Sequence, residues 1–222
     1  MTQPCIAIIG AGPGMGAAIA RRFGREGFRV MAMARKPQTL QPMADALRRD
    51  GIACDTASLD AADPAAVQAL LGALAQGLYL SVLAYNAAGF LPAGVPSKVN
   101  VAEAAAALRV SCLSALAAAQ AVLPKMRERG NGTLLFTGGG YALEPAAAMS
   151  VLGMGKAALR NLAFSLHDEL RPQGIHAATV TICGTVQPAG SGGPFAADAI
   201  AEHYWQLHLQ KPEAFERERT VR

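Results

Sequence analysis

Short apolar runs alternate along this chain with longer stretches whose apolar positions recur every three to four residues. The first run, Cys5-Ile6-Ala7-Ile8-Ile9, is continuous and rich in β-branched residues, the pattern of a strand buried on both faces. It ends in Gly10-Ala11-Gly12-Pro13-Gly14-Met15-Gly16, after which Ala17, Ile19, Ala20 and Phe23 fall at helical spacing. The pattern predicts a strand, a tight turn and a helix. The alternation continues with a second strand over 29–34, a helix to about 49 with Gly51 as its C-cap, and a third strand over 52–59. Asp63-Pro64 then supplies an N-cap and an N1 proline for a helix reaching about 76. A fourth strand over 78–84 precedes an alanine-rich helical region over 101–129. A fifth strand over 132–137, a helix over 146–170 and a sixth strand over 175–182 follow. The chain closes with a Gly/Pro loop, a helix over 196–209 and a short last strand near 219–221. Strands and helices taking turns without a repeat or a linker predict a single α/β domain over 1–222: a doubly wound parallel sheet in three αβα layers.

Composition narrows the function without choosing one. A chain of 222 residues that is 52% hydrophobic can bury a sizeable core. No apolar run reaches the about 18 residues of a membrane span, and no secretory leader is visible. Cys5, Cys54, Cys112 and Cys183 are dispersed, which predicts reduced cysteines in a cytoplasmic protein rather than a disulfide framework or a metal site. His167, His176, His203 and His208 show no metal-ligand spacing either. The net charge of +4 is spread thinly, with short clusters such as Arg21-Arg22 and the 217–222 stretch and no basic stripe, so no nucleic-acid partner is expected.

Candidate chemistry gathers where the strands end. In a doubly wound sheet, ligands bind at the carboxyl edge where the strand order reverses. Gly10–Gly16, Arg35, Asp60, Asn86–Gly89, Thr137–Gly140 and Cys183–Thr185 all fall on that edge. Glycine lets a backbone turn sharply and approach a ligand closely. The unpaired N–H groups and dipole of the following helix favour an anion such as a pyrophosphate.

The glycine spacing is G-x-x-x-G-x-G (Gly10, Gly14, Gly16), with Met15 where the G-x-G-x-x-G fingerprint would need glycine. This spacing resembles the short-chain dehydrogenase/reductase family and implies a Rossmann-type nucleotide-binding fold. The second strand ends in Ala34-Arg35-Lys36, where an NAD site usually has a carboxylate for the ribose 2′-hydroxyl. A guanidinium there grips a 2′-phosphate, so NADP(H) is expected in preference to NAD(H). Asp60 stands where the family has an adenine-contacting aspartate, and Asn86-Ala87-Ala88-Gly89 resembles its N-N-A-G segment. The expected cofactor-binding residues are Gly10, Gly12, Gly14, Met15, Gly16, Arg35, Lys36, Asp60, Asn86, Ala87, Gly89, Thr137, Lys156, Gly184 and Val186.

The resemblance implies a catalytic tyrosine, a lysine four residues later, an upstream serine and a helix asparagine. Lys156, in Gly155-Lys156-Ala157-Ala158-Leu159, has the lysine's context, yet Leu152 stands at the tyrosine position and Met149 at its variant position. The serine position falls on Gly139 and the asparagine position on Ser111. Downstream, the Pro-Gly pair reads Cys183-Gly184, and the following threonine is Pro188. Tyr141, two residues after the serine position, is the candidate replacement acid beside Lys156; Thr137 and Ser150 are further hydroxyls nearby. Two functions follow: an NADP(H)-dependent oxidoreductase acting on a small carbonyl or alcohol, or a catalytically inactive NADP(H)-binding protein. Ala189–Pro194 reads as a lid within a substrate-side tail over 188–222, and His203, Tyr204, Trp205 and His208 as pocket lining or core. Gly153 and Gly155, unfavourable inside a helix, predict close approach of another element or the cofactor. The resemblance also implies a homodimer or homotetramer built on the two long helices.

Overall fold

In the computed structural model, which describes residues 3–89 and 94–222, seven parallel strands form one sheet. They are β1 (Cys5–Ile9), β2 (Arg29–Ala34), β3 (Cys54–Ser58), β4 (Leu80–Tyr85), β5 (Gly132–Gly139), β6 (Ile175–Ile182) and β7 (Glu218–Val221), in the spatial order β3-β2-β1-β4-β5-β6-β7. The order reverses between β1 and β4. The helices are α1 (Met15–Gly24), α2 (Pro37–Arg49), α3 (Pro64–Gly77), α4 (Val101–Leu108), α5 (Ser114–Arg129), α6 (Ser150–Leu170) and α7 (Ala197–His208).

Period-2 alternation sorts the strand residues between two layers. Ile6 and Ile8 of β1 face a core shared with α1, α2 and α7, whereas Cys5, Ala7 and Ile9 face one shared with α3, α5 and α6. The predicted doubly wound, three-layer domain is therefore present. Residues 197–221 belong to it, as α7 on the first layer and β7 on the sheet edge.

Boundaries differ from expectation where helix ends or loops claim the residues. Ile52 N–H closes α2 on Leu47 O, and Leu78 N–H closes α3 on Leu74 O, so β3 and β4 start two residues late. Gly138 and Gly139 pair with Thr181 and Ile182, so β5 runs on to Gly139, two residues past the expected end. The start of α6 moves from 146 to Ser150. Met149 N–H turns back to Ala146 O, and Ala148 O accepts from Gly94 N–H across to the β4–α4 loop.

The alanine-rich region is one helical course with a π turn, Arg109–Leu113, between α4 and α5; Ser114 N–H reaches Arg109 O. Its best window has a mean hydropathy of 1.6 over 18 residues, which corrects the expectation that no stretch attains a membrane span's length and apolarity. Half of that window is buried inside the fold, where α5 packs on α3 and on β4 and β5. That burial is the behaviour of a core helix.

Candidate active site

The reversal between β1 and β4 opens a cleft of about 570 Å³ at the carboxyl edge of the sheet. Gly10, Arg35, Asp60, Asn86, Ala87 and Gly89, all expected from sequence, line it together. Glu103, Ala106, Ala107 and Val110, reached from α4 and the π turn, complete the far wall and were not anticipated. The available signal was the Asn100 N-cap, whose Oδ1 accepts from Ala102 and Glu103 N–H and fixes where α4 begins.

The glycines of the turn divide into two kinds. Gly10 has φ +84°, and a Cβ there would lie 2.5 Å from Ala87 N; a Cβ on Gly16 would lie 2.7 Å from Ala11 Cα. These two are glycine because the backbone requires it. A Cβ on Gly12 or Gly14 would meet nothing within 4 Å. No side chain caps α1 at Gly14, and no acidic residue lies in its first turn. The turn therefore presents an open, uncapped helix start, which fits a pyrophosphate. Met15 presents only its backbone at the turn, because its side chain is buried in the core.

Arg35 and Lys36 stand exposed beyond the end of β2, and among the described residues neither enters an ion pair. Ser58 Oγ donates to Arg35 O at 3.2 Å, holding the backbone at the rim while the guanidinium is left open. Asp60 Oδ1 accepts from Ala62 N–H at 2.9 Å in a tight Asx turn.

Behind the cleft, Asn86 Nδ2 donates to Gly10 O at 2.8 Å and Thr137 Oγ1 donates to Asn86 Oδ1 at 2.8 Å. Lys156 Nζ donates to Thr137 O at 2.6 Å. Lys156 is buried, and desolvation pushes its ammonium down to about 8. A Cβ on Gly139 would come within 3.2–3.4 Å of the Lys156 methylenes. The stem of the lysine thus lies against the position expected for the serine. Ser111 is buried in the π turn, where its Oγ accepts from Gly89 N–H at 3.0 Å. A Cβ on Gly155 would stand 2.8 Å from Ser111 Cβ and one on Gly153 3.3 Å from Tyr141 O, so close approach explains both helix glycines.

Tyr141 lies on a short 3₁₀ turn over Gly140–Ala142 between β5 and α6, with 39% of its surface exposed. Leu152 is on the first turn of α6, and Cys183 follows β6, its Sγ 3.3 Å from a Cβ built on Gly140. Gly184 lies under the Phe195 ring, and Val186 packs against the first core. The loop from 188 to 195 is gathered at its base. Gln187 N–H donates to Phe195 O at 2.8 Å and Ala197 N–H to Gln187 O at 3.0 Å. Its outer end, Ala189–Gly190, lies in a groove with Arg21, Arg22 and Arg25 of α1. Gly12, Gly14, Met15, Gly16, Lys36, Thr137, Lys156, Tyr141, Gly184 and Val186 stand outside the lining of the first cleft. The aromatic stretch of α7 is core: Tyr204 is fully buried, and Trp205 meets Phe23 and Phe28 edge-on.

The chain's similarities agree with this arrangement. The family model described as short chain dehydrogenase matches residues 4–191. The NADP-dependent 3-hydroxy acid dehydrogenase YdfG of Salmonella typhi is 30% identical over 189 residues, covering 85% of this chain and 73% of that protein. The oxidoreductase asL5 of Sarocladium schorii is 26% identical over 211 residues, 95% of this chain and 81% of that one. Among solved structures, a short-chain dehydrogenase from Rhodopseudomonas palustris superposes with a TM-score of 0.88 at 28% identity, covering 99% of this chain and 98% of the other.

Proposed function

The chain belongs to the short-chain dehydrogenase family, and on that premise we propose that it binds NADP(H) in preference to NAD(H) and interconverts a small carbonyl and its alcohol. The observation that carries this reading is the open helix start at Gly12–Gly16 with the unpaired Arg35 at the rim of the adjoining cleft. The backbone N–H groups of the turn would hold the pyrophosphate, and Arg35, with Lys36 beside it, the 2′-phosphate. When bound, the nicotinamide would supply or accept a hydride. Lys156 would hold the adjoining ribose, and the proton would pass through Tyr141 or the Lys156 ammonium, since Leu152 cannot exchange one and Gly139 carries no hydroxyl. The relative named for 3-hydroxy acids makes those compounds and their ketones the first substrates to try.

A second reading has an observation of its own. With Leu152 at the tyrosine position and Lys156 turned onto Thr137 O, the chain could bind NADP(H) without turning it over. We further propose a cytoplasmic homodimer or homotetramer through α4–α6, where Val101, Leu113 and Met154 are exposed.

Titration with NADPH and NADH, for the wild type and Arg35→Ala, tests the cofactor. A charge-assisted contact worth about 1.5–3 kcal/mol predicts roughly ten- to a hundred-fold weaker NADPH binding in the variant, with NADH little changed. Failure of the wild type to bind either nucleotide overturns both readings. Substrate-dependent NADPH consumption that disappears in Lys156→Met selects the enzyme, and nucleotide binding without turnover across the panel selects the second reading.

A further inference from the structure

The hydrogen bonds behind the glycine turn extend to the C-terminal helix. Tyr204 OH lies 2.7 Å from Thr137 Oγ1, linking residues 67 apart in sequence, and Tyr204 is fully buried. The polarity of the chain is forced. Gly10 O is a carbonyl and can only accept, so Asn86 turns Nδ2 toward it and Oδ1 toward Thr137. Thr137 then spends its proton on Asn86 Oδ1, and Tyr204 must donate to Thr137 Oγ1. Every donor in the series points toward the glycine turn.

Resting on the nucleotide-binding reading above, we propose that Tyr204 is a positioning residue for the nucleotide site, acting through Thr137 and Asn86 to fix the Gly10 peptide. Gly10 N–H and Ala11 N–H both donate to Met33 O at 2.9 Å, so the turn is tied to β2 by its amides. On the opposite side, among the described residues, Ile9 O accepts from Asn86 N–H at 2.8 Å and the Gly10 carbonyl accepts from Asn86 Nδ2, the second being the side-chain tie that orients the Gly10–Ala11 peptide. With both ties made, the N–H groups of Gly12, Gly14, Met15 and Gly16 are left without a backbone partner among the described residues, whereas those of Ala17 and Ala18 turn back to Gly12 O and Gly14 O. Thr137 is the junction, because its carbonyl also takes Lys156 Nζ. The tyrosine hydroxyl, which burial keeps protonated, is a permanent donor at the start of the series.

The test compares wild type, Tyr204→Phe, Thr137→Val and Thr137→Ser by hydrogen exchange of residues 8–18 and by NADPH titration. Tyr204→Phe keeps the ring that fills the core and removes only the donor. Exchange in the glycine turn is expected to quicken at least fivefold in Tyr204→Phe and Thr137→Val while α3 exchanges as in wild type, and NADPH binding to weaken three- to tenfold. Thr137→Ser, which retains the hydroxyl, restores both. A Tyr204→Phe protein whose turn exchanges at the wild-type rate, or loosens only in step with α3, overturns the proposal. If wild type binds neither NADPH nor NADH, the nucleotide reading falls while the exchange comparison still decides the relay.

Discussion

Glycines that look alike in the sequence have opposite jobs. Gly10 combines φ +84° with a backbone neighbour that a Cβ would strike, so Gly10→Ala is expected to cost about 2–3 kcal/mol in chemical denaturation. Gly12→Ala opens into free space and should leave the apo protein within about 0.5 kcal/mol of wild type. If the turn receives a pyrophosphate, that same harmless methyl weakens NADPH binding, a separation of stability from affinity that one pair of variants measures. Lys156 has the converse character. Its folded-state pKa of about 8 lies below the ordinary lysine value of 10.5, so the unfolded chain binds the proton more tightly. The resulting penalty is fully present below pH 8 and is lifted as the pH rises toward 10.5. Lys156→Met should therefore stabilise the protein at pH 7 by about 2 kcal/mol after losing the Thr137 hydrogen bond, and the sign should reverse before pH 10.5, where the charge penalty is nearly gone and the lost hydrogen bond remains. Melting curves of the two proteins at both pH values check the sign.

At the scale of elements, the short edge strand β7 is fastened by one side chain. Glu218 takes both Arg160 Nε at 2.8 Å and Arg160 Nη2 at 2.6 Å, and accepts from Thr181 Oγ1 at 2.7 Å. Glu218→Ala breaks a two-pronged contact between α6 and β7, and is expected to lower stability by about 2 kcal/mol and quicken exchange over 218–221 ahead of β6. Most elements were legible because their periodicity is local: β2 and β6 have the expected bounds, and Asp63 caps α3 by accepting from Ala65 and Ala66 N–H. What periodicity does not contain is a partner far away. The π turn brings Ser111 inward against Gly155 and Gly89, contacts made across 44 and 22 residues, and nothing within Arg109–Leu113 announces it. The same holds for the site. The glycine turn, Arg35, Asp60 and the Asn86 segment are local motifs, legible residue by residue, whereas the α4 wall and the Tyr204 donor depend on how separate elements meet.

Over the whole molecule, α7 holds the first layer together at both its ends. Tyr204 reaches the carboxyl edge of the sheet, whereas His208 Nδ1 meets Thr133 Oγ1 at 2.9 Å near the amino edge. The His208 ring lies in a box with Phe23, Phe28 and Trp205, at centroid distances of 5.4–5.6 Å. Burial, with a smaller contribution from His176, pushes its imidazole down to about 4. A lowered folded pKa means that the unfolded state gains the proton first, so the stability His208 contributes is complete above about pH 6.5 and is lost as the pH falls toward 4. The loss amounts to about 3 kcal/mol, a substantial part of the 5–15 kcal/mol typical of a domain. Acid should therefore loosen the α1–α7 layer before the opposite one. Trp205 is the only tryptophan in the chain, so its emission reports that layer alone, whereas circular dichroism reports every helix. The emission of the wild type should shift at a higher pH than the helical signal falls. In His208→Gln, whose amide can still meet Thr133 but takes up no proton, the two transitions should move together. Coincident transitions in the wild type would show that α7 has no separate acid step and that the two layers unfold as one.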